Sequence, residues 1–323
     1  MSTYHAPCWL PGGHAQTIYP LLIKPPSPAY RRERWPTPDG DFIDLDWSDP
    51  QPGAIDASTA PVLILFHGLE GGSGSHYAIS LMHASVVAGW TGVVVHFRGC
   101  SGEINRLPRA YHSGDSDEID WILRRLRRLF QQRPLYAVGI SLGGNALLKW
   151  LGERGTGAAD CLQAAAAISS PLDLEVSGHH LALGFNRIYT RHFLQTLKQK
   201  ATAKLRRHPG IFDERRMQAA STLHQFDDVV TAPLHGFANA DDYWLRASSK
   251  PWLTGIALPT LLLNARNDPF LPAKALPTPS QASACVQLEF PPQGGHVGFV
   301  ASHPPGRLEW LAQRMLNYFR HEV

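Results

Sequence analysis

Short continuous apolar runs punctuate the chain at 61–66 (Val62-Leu63-Ile64-Leu65-Phe66), 91–97, 135–140, 161–168 and 259–264. Runs of this length, bounded by Gly, Pro, Asn or Ser, predict strands covered on both faces, as in the centre of a parallel sheet. Helical spacing follows most of them, at 76–88 (stopped by Gly89), in the stretch that Asp115 or Ser116 is expected to cap, and from Ala146 through Leu151. A last strand is predicted at 286–290 and a closing helix at 307–319. Strand and helix in alternation specify an α/β protein with a mostly parallel central sheet flanked by helices. Upstream, 31–35 and 42–47 flank Pro36-Thr37-Pro38-Asp39-Gly40, a hairpin signal. There Phe42, Asp44 and Asp46 alternate with Ile43, Leu45 and Trp47, which predicts a half-buried antiparallel strand.

Three stretches break the rhythm. Residues 1–30 are rich in proline and aromatics and predict an ordered arm packed on the body, anchored by Trp9, Ile18 and Tyr19. Residues 49–60 read as a loop of Pro, Gly, Ser and Ala. Residues 172–254 carry helical spacing at Leu183, Asn186-Arg187-Ile188, Phe193 and Leu197, with further patches at 216–223 and 240–247. Lying before the strand at 259–264, they predict a helical cap over the site. The expected organisation is therefore an arm (1–30), a core in two parts (31–171 and 255–323) and a cap (172–254).

Composition narrows the classes. With 30 basic and 27 acidic residues the net charge is +3 over 323 residues, which gives no footprint for nucleic acid or a membrane. The basic run Arg124-Arg125-Leu126-Arg127-Arg128 alternates with apolar positions and reads as the solvated face of a helix. Four scattered cysteines (Cys8, Cys100, Cys161, Cys285) form neither a metal-ligand spacing nor a disulfide framework. No signal-peptide pattern and no apolar run of membrane-spanning length is seen, so a cytoplasmic location is expected, with no integral membrane contact. No metal or cofactor is expected.

The chemistry centres on Gly139-Ile140-Ser141-Leu142-Gly143, set between an apolar strand and a helix. A serine on so sharp a turn needs small neighbours two residues before and after it, and the following helix directs free N–H groups at the reacting centre. Serine needs a base, and the base needs an orienting acid. His296, in Gly294-Gly295-His296 after the last strand, fills the first role, and Asp268, just past the strand at 259–264, the second. The order Ser141, Asp268, His296 places all three on one edge of the sheet. The glycine-rich turn His67-Gly68-Leu69-Glu70-Gly71-Gly72 suggests the Leu69 N–H as an oxyanion donor, paired with that of Leu142. Rivals are His303 for the base and Asp173 for the acid, with Asp241 and Asp242 weaker. His67 reads as a hydrogen-bonded structural histidine and Cys100 as a packed thiol.

With these residues stand Gly13-His14-Ala15-Gln16-Thr17-Ile18-Tyr19-Pro20, His96-Phe97-Arg98-Gly99-Cys100-Ser101-Gly102-Glu103, Tyr111-His112-Ser113-Gly114-Asp115, Phe226-Asp227-Asp228 and Ala265-Arg266-Asn267-Asp268-Pro269-Phe270. Together they resemble the α/β hydrolases, and within them the YheT-like hydrolases and ABHD-type carboxylesterases. The resemblance implies the α/β-hydrolase fold, with Ser141 as nucleophile, Asp268 as acid and His296 as base. It implies hydrolysis of carboxylic esters, here small acyl esters of short to medium chain. Lipase or acyltransfer chemistry on acyl lipids, thioester or amide hydrolysis, and a non-catalytic binding role are the alternatives. Gly12-Gly13-His14 stands where the family more often has Asn-Pro-His, a change expected to alter only the surface that the arm contacts. Oligomeric state is not legible.

Overall fold

The computed structural model describes residues 4–23, 25–50 and 59–323. The loop expected at 49–60 falls mostly outside these residues. Eight strands form one sheet: β1 (Arg31–Pro36), β2 (Phe42–Ser48), β3 (Val62–Phe66), β4 (Thr91–Val95), β5 (Leu135–Ile140), β6 (Ala164–Ile168), β7 (Thr260–Leu263) and β8 (Val286–Glu289). Their spatial order is β1-β2-β4-β3-β5-β6-β7-β8, antiparallel from β1 through β4 and parallel from β4 to β8. With its flanking helices this is the α/β-hydrolase fold.

The helices are α1 (Gly13–Ile18), α2 (His76–Val87), α3 (Ser116–Leu129), α4 (Leu142–Arg154), α5 (Leu174–Leu181), α6 (Arg187–Arg207), α7 (Glu214–Ala219), α8 (Leu223–Phe226), α9 (Ala232–Leu234), α10 (Ala240–Ala247) and α11 (Glu309–His321). The continuous apolar strands are explained by two cores. Val62, Ile64 and Phe66 face the layer of α3 and α4 with Ile122, Leu147 and Trp150. Leu63 and Leu65 face the layer of α2 and α11 with Met82, Met315 and Phe319. Period-2 geometry sends alternate side chains to opposite faces, so a strand buried on both must be apolar throughout. No helix among the described residues is long and apolar enough to cross a membrane.

The parallel register aligns the strand ends. Phe66 lies beside Gly139, and Ile140, Ile168 and Leu263 lie side by side. The residues that follow these ends share one carboxyl edge, where α/β sheets place ligands.

Three expectations are corrected. β2 is not half-buried: all seven of its residues are buried, because arginines from β1 cover its acidic face. Antiparallel register sets Arg32 opposite Asp46 and Arg34 opposite Asp44, and both pairs close at 2.7 Å. Asp115 occupies the position before α3 without capping it, since its carboxylate is bound by Arg109 at 2.7 Å. Ile18 is exposed rather than an anchor of the arm; Tyr4 and Leu10 are buried there instead. Trp9 and Tyr19 do pack together, with ring centroids 5.1 Å apart.

Burial alone would raise the Asp46 carboxyl, but hydrogen bonds from Arg32, His96 and Ser73 outweigh it and hold it well below the usual carboxylate range. A depressed carboxyl stabilises the fold above its unfolded pKa of about 3.9, and that contribution is lost as pH falls through the folded value. Asp46→Ala is expected to cost about 2 kcal/mol at neutral pH, since it leaves the buried His96 without its hydrogen-bond partner and takes a carboxylate from the half-exposed Arg32. Its unfolding free energy should also fall less steeply than wild type below about pH 4. Urea unfolding over a pH series checks both; identical acid limbs would remove Asp46 from the account.

Candidate active site

β5 ends at Ile140, and the next residue, Ser141, takes φ 51° and ψ −118° before α4 begins at Leu142. A non-glycine residue in so sparsely populated a region costs about 1–3 kcal/mol and persists only where its surroundings fix it. Here the Ser141 N–H donates to Ile168 O at 2.8 Å and its carbonyl accepts from Asn145 N at 3.0 Å. Space is the second condition. A Cβ on Gly139 would lie 2.5 Å from the Gly144 Cα, and one on Gly143 would meet the Phe66 and His67 carbonyl oxygens. Both glycines are therefore required by close approach, as the motif predicts.

The structure brings Ser141, His296 and Asp268 together. His296 Nδ1 lies 2.8 Å from Asp268 Oδ2 and Nε2 lies 3.0 Å from Ser141 Oγ. A carboxylate only accepts, so Nδ1 carries the hydrogen and Nε2 is left free to accept from the serine hydroxyl. Asp268 Oδ1 accepts the Phe270 N–H at 2.8 Å, and the Phe270 ring stacks on His296 at 4.0 Å. The acid side chain is buried and the imidazole nearly so, which strengthens the pairing.

What fixes the acid and base loops is the arm, and this the sequence reading placed elsewhere. The wholly buried Gln16 of α1 accepts from Gly294 N and from Asn267 Nδ2, each at 2.9 Å. Its Nε2 donates to Leu10 O at 2.9 Å and to Gln293 Oε1 at 3.0 Å. The neighbouring Thr17 hydroxyl accepts the His296 N–H at 2.9 Å. Gly13 lies so close that a Cβ would collide with the Asn267 carbonyl. The change at Gly12-Gly13 thus touches the loop carrying the acid, not only an outer surface. The signal available was the polar pair Gln16-Thr17 set between Ala15 and Ile18.

The turn after β3 packs on the serine: a Cβ on Gly68 would come within 3.2 Å of Ser141 Cβ. Neither the Leu69 nor the Leu142 N–H has a hydrogen-bond partner among the described residues, and both residues line the cavity with Ser141 and His296. Behind this turn, the Tyr111 hydroxyl donates to Glu70 Oε1 at 2.7 Å and accepts the Glu70 N–H at 3.0 Å. Lys200, from α6, reaches the same carboxylate at 2.9 Å. His67 is buried and structural: its Nδ1 lies 2.7 Å from Gly68 O, its Nε2 accepts the Phe97 N–H at 3.0 Å, and burial lowers its pKa to about 3. Burial also raises the Cys100 thiol to about 11, which leaves it protonated and unreactive.

The helices of 172–254 stand over this edge. Asn145 of α4 ties them down, donating to Ser113 O and Ala247 O at 2.8 Å each and accepting the Ser249 N–H at 3.0 Å. Beneath them a cavity of about 1250 Å³, including its open mouth, runs from Ser141 and His296 past Leu174, Phe193, Leu197, Leu223, Phe226 and Val230. At its wall the Asp227 carboxyl is buried, which raises it to about 6, and it accepts from Trp244 Nε1 at 2.8 Å and Thr231 Oγ1 at 2.6 Å.

The rivals lie in other roles. Asp173 caps α5, accepting Val176 N at 3.1 Å. Asp241 pairs with His224 at 2.7 Å and Asp242 with Arg246 at 3.2 Å. His303 is exposed on a turn.

A family model described as alpha/beta hydrolase fold matches residues 61–301. The Escherichia coli (strain K12) protein YheT is 41% identical over 313 residues, covering 94% of this chain and 89% of that protein. Phospholipase ABHD3 of Homo sapiens is 32% identical over 304 residues, covering 92% of this chain and 74% of its own. Among solved structures, Est1E from Butyrivibrio proteoclasticus with ferulic acid bound aligns at a TM-score of 0.57 and 13% identity, covering 90% of this chain and 97% of that one; at that identity it speaks for the fold.

Gln16→Ala leaves the Gly294 N–H and the Asn267 amide unpaired in a closed site. It is expected to destabilise the protein by about 2–3 kcal/mol and to slow phosphonylation of Ser141 by a fluorophosphonate at least about tenfold. Thermal melting and a labelling time course read the two effects, and wild-type labelling in a destabilised variant would mean that the arm does not position the base.

Proposed function

The chain belongs to the alpha/beta hydrolase fold family, in the branch of YheT and ABHD3, and from that premise we propose that this hydrolase is a serine carboxylic-ester hydrolase. The observation that carries the reading is the hydrogen-bonded line from Ser141 through His296 to Asp268, open to an apolar cavity.

In the proposed reaction Ser141 Oγ attacks the ester carbonyl while His296 Nε2 takes its proton. Asp268 holds the Nδ1–H and stabilises the imidazolium. The carbonyl oxygen becomes an oxyanion between the Leu69 and Leu142 N–H groups, each worth roughly 3–4 kcal/mol if it behaves like measured oxyanion donors. His296 then protonates the alcohol oxygen as the C–O bond breaks and an acyl-Ser141 ester remains. Water attacks that ester, giving its proton to His296, and the acid leaves as Ser141 is reprotonated. The location of α4 supports this chemistry, because its N-terminal N–H groups favour negative charge beside Ser141.

Short- to medium-chain acyl esters fit the cavity. Its length and apolar lining favour a second reading, acyl lipids whose chain lies beneath α5, α6 and α8. The name of ABHD3, a phospholipase, is in keeping with that.

A p-nitrophenyl ester series tests the reading. Each methylene that enters the cavity contributes up to ~0.8 kcal/mol, so kcat/KM should climb from acetate to octanoate by more than about tenfold and then level. Ser141→Ala should lower kcat by roughly a million-fold, as nucleophile removal does elsewhere. A flat series that the mutant matches would sink the proposal. The acid is tested separately: Asp268→Asn should lower kcat by about ten-thousand-fold by favouring the wrong tautomer, with Asp173→Asn within about fivefold of wild type. The reverse pattern would transfer the role to Asp173.

A further inference from the structure

Among the described residues, six of the eleven exposed large apolar side chains sit in two short stretches, Ile18, Leu21 and Leu22 at the end of the arm and Leu183, Phe185 and Ile188 around the start of α6, with Leu21 68% and Leu22 73% exposed. The two stretches meet at His14. Its ring lies 4.5 Å from that of Phe185, and its Nδ1 is 3.1 Å from the Tyr189 hydroxyl. Ile18 is one helical turn from His14 along α1, and Leu21 one turn further, so they continue the same side. Contiguous apolar surface of this kind on a folded chain marks an interaction face.

Position and charge say what the face meets. Tyr189 lies edge-on to Phe270 at 4.8 Å, and Phe270 stacks on His296 at 4.0 Å. The face therefore borders the mouth of the apolar cavity. Both stretches lie in sequence free of carboxylates, since residues 1–32 and 176–212 hold no Asp or Glu. Arg187 and Arg191 are exposed beside Ile188. The +3 of the whole chain conceals this asymmetry. An apolar face bordered by two exposed arginines suits the interface of an anionic lipid bilayer, where apolar groups enter the headgroup boundary and arginines meet phosphates.

We propose that the arm end and the start of α6 together form a docking face for an anionic phospholipid surface, which presents acyl chains directly to the cavity mouth. The docking stands on surface chemistry alone; the delivery of substrate rests on the ester-hydrolase reading. The whole-chain charge, read as giving no membrane footprint, is compatible with peripheral contact of this kind.

Co-sedimentation with sucrose-loaded vesicles tests it, using the Ser141→Ala protein so that binding is read without turnover. Vesicles of phosphatidylcholine with about 30% phosphatidylglycerol should capture the protein, pure phosphatidylcholine should capture much less, and added salt should weaken the capture. Leu21→Ser/Leu22→Ser/Ile188→Ser added to Ser141→Ala should lower the partition coefficient at least about tenfold, and the same triple change made in the wild-type protein should leave the melting temperature and the turnover of the short, soluble p-nitrophenyl acetate near wild type. No capture by anionic vesicles, or equal capture of the triple variant, overturns the docking face. So does a wild-type dimer in sedimentation velocity that the triple variant abolishes, since the face would then be a contact between copies. An inert esterase that still binds vesicles overturns only the function.

Discussion

Everything at the active edge depends on one backbone residue held where it would not stay by itself. Ser141 at positive φ puts its hydroxyl above the sheet, and the cost is met by packing on every side of the turn. β3 and β6 flank β5, so the Ser141 N–H finds the Ile168 carbonyl, and Gly143 fits under the Phe66 and His67 carbonyls. The same proximity brings the Gly68–Leu69 turn against Ser141 and leaves two N–H groups unpaired at its side. Strain, glycine placement and the unpaired N–H groups are thus one constraint seen three times.

The position of His296 depends on a different part of the chain. The loops of Asp268 and His296 emerge from β7 and β8, toward one end of the sheet, and loops of this kind carry many backbone groups that a sheet cannot satisfy. Gln16 and Thr17 supply those partners from a segment more than two hundred residues earlier. The arm therefore acts as an added layer over the catalytic edge. Phe270 completes the positioning by stacking on the imidazole and restricting its rotation. Two hydrogen bonds and one ring contact leave His296 little freedom to leave Ser141.

These dependencies explain which features could be read from the sequence. Seven of the eight strands follow a local rule: unbroken apolar runs in β3 to β7, where both faces are covered, and a hairpin signal at Asp39-Gly40 between β1 and β2. The meeting of Ser141, Asp268 and His296 at one edge was legible because each follows a strand, and the strands share a direction. What was not legible depends on partners remote in sequence. Asp44 and Asp46 look like exposed positions of an alternating strand, and only the register with β1 shows that Arg34 and Arg32 bury them. Gln16 looks like an ordinary surface residue until the two loops close on it. The length of the cavity lay beyond reach for the same reason, since Leu174, Phe193, Leu223 and Val230 converge only through the packing of separate helices.

The helices of 172–254 resolve a conflict that follows from their position over the cavity. A helix placed over an apolar cavity must be apolar beneath, and one at the mouth of that cavity cannot easily be apolar outside without aggregating. α6 meets both demands by segregating along its length. Phe193 and Leu197 line the cavity in its middle, while the far half carries Lys204, Arg206 and Arg207. Lys204 shows how tightly that half is held: burial lowers its ammonium to about 8, and it donates to the Leu107 and Arg109 carbonyls at 2.6 and 2.7 Å. Lys200 joins the helix to Glu70 behind the oxyanion turn. Only the beginning of α6 keeps exposed apolar side chains, and that is where the arm meets it through His14. The same arm that holds His296 thus borders this exposed apolar stretch, which couples the geometry of the site to whatever surface lies against it.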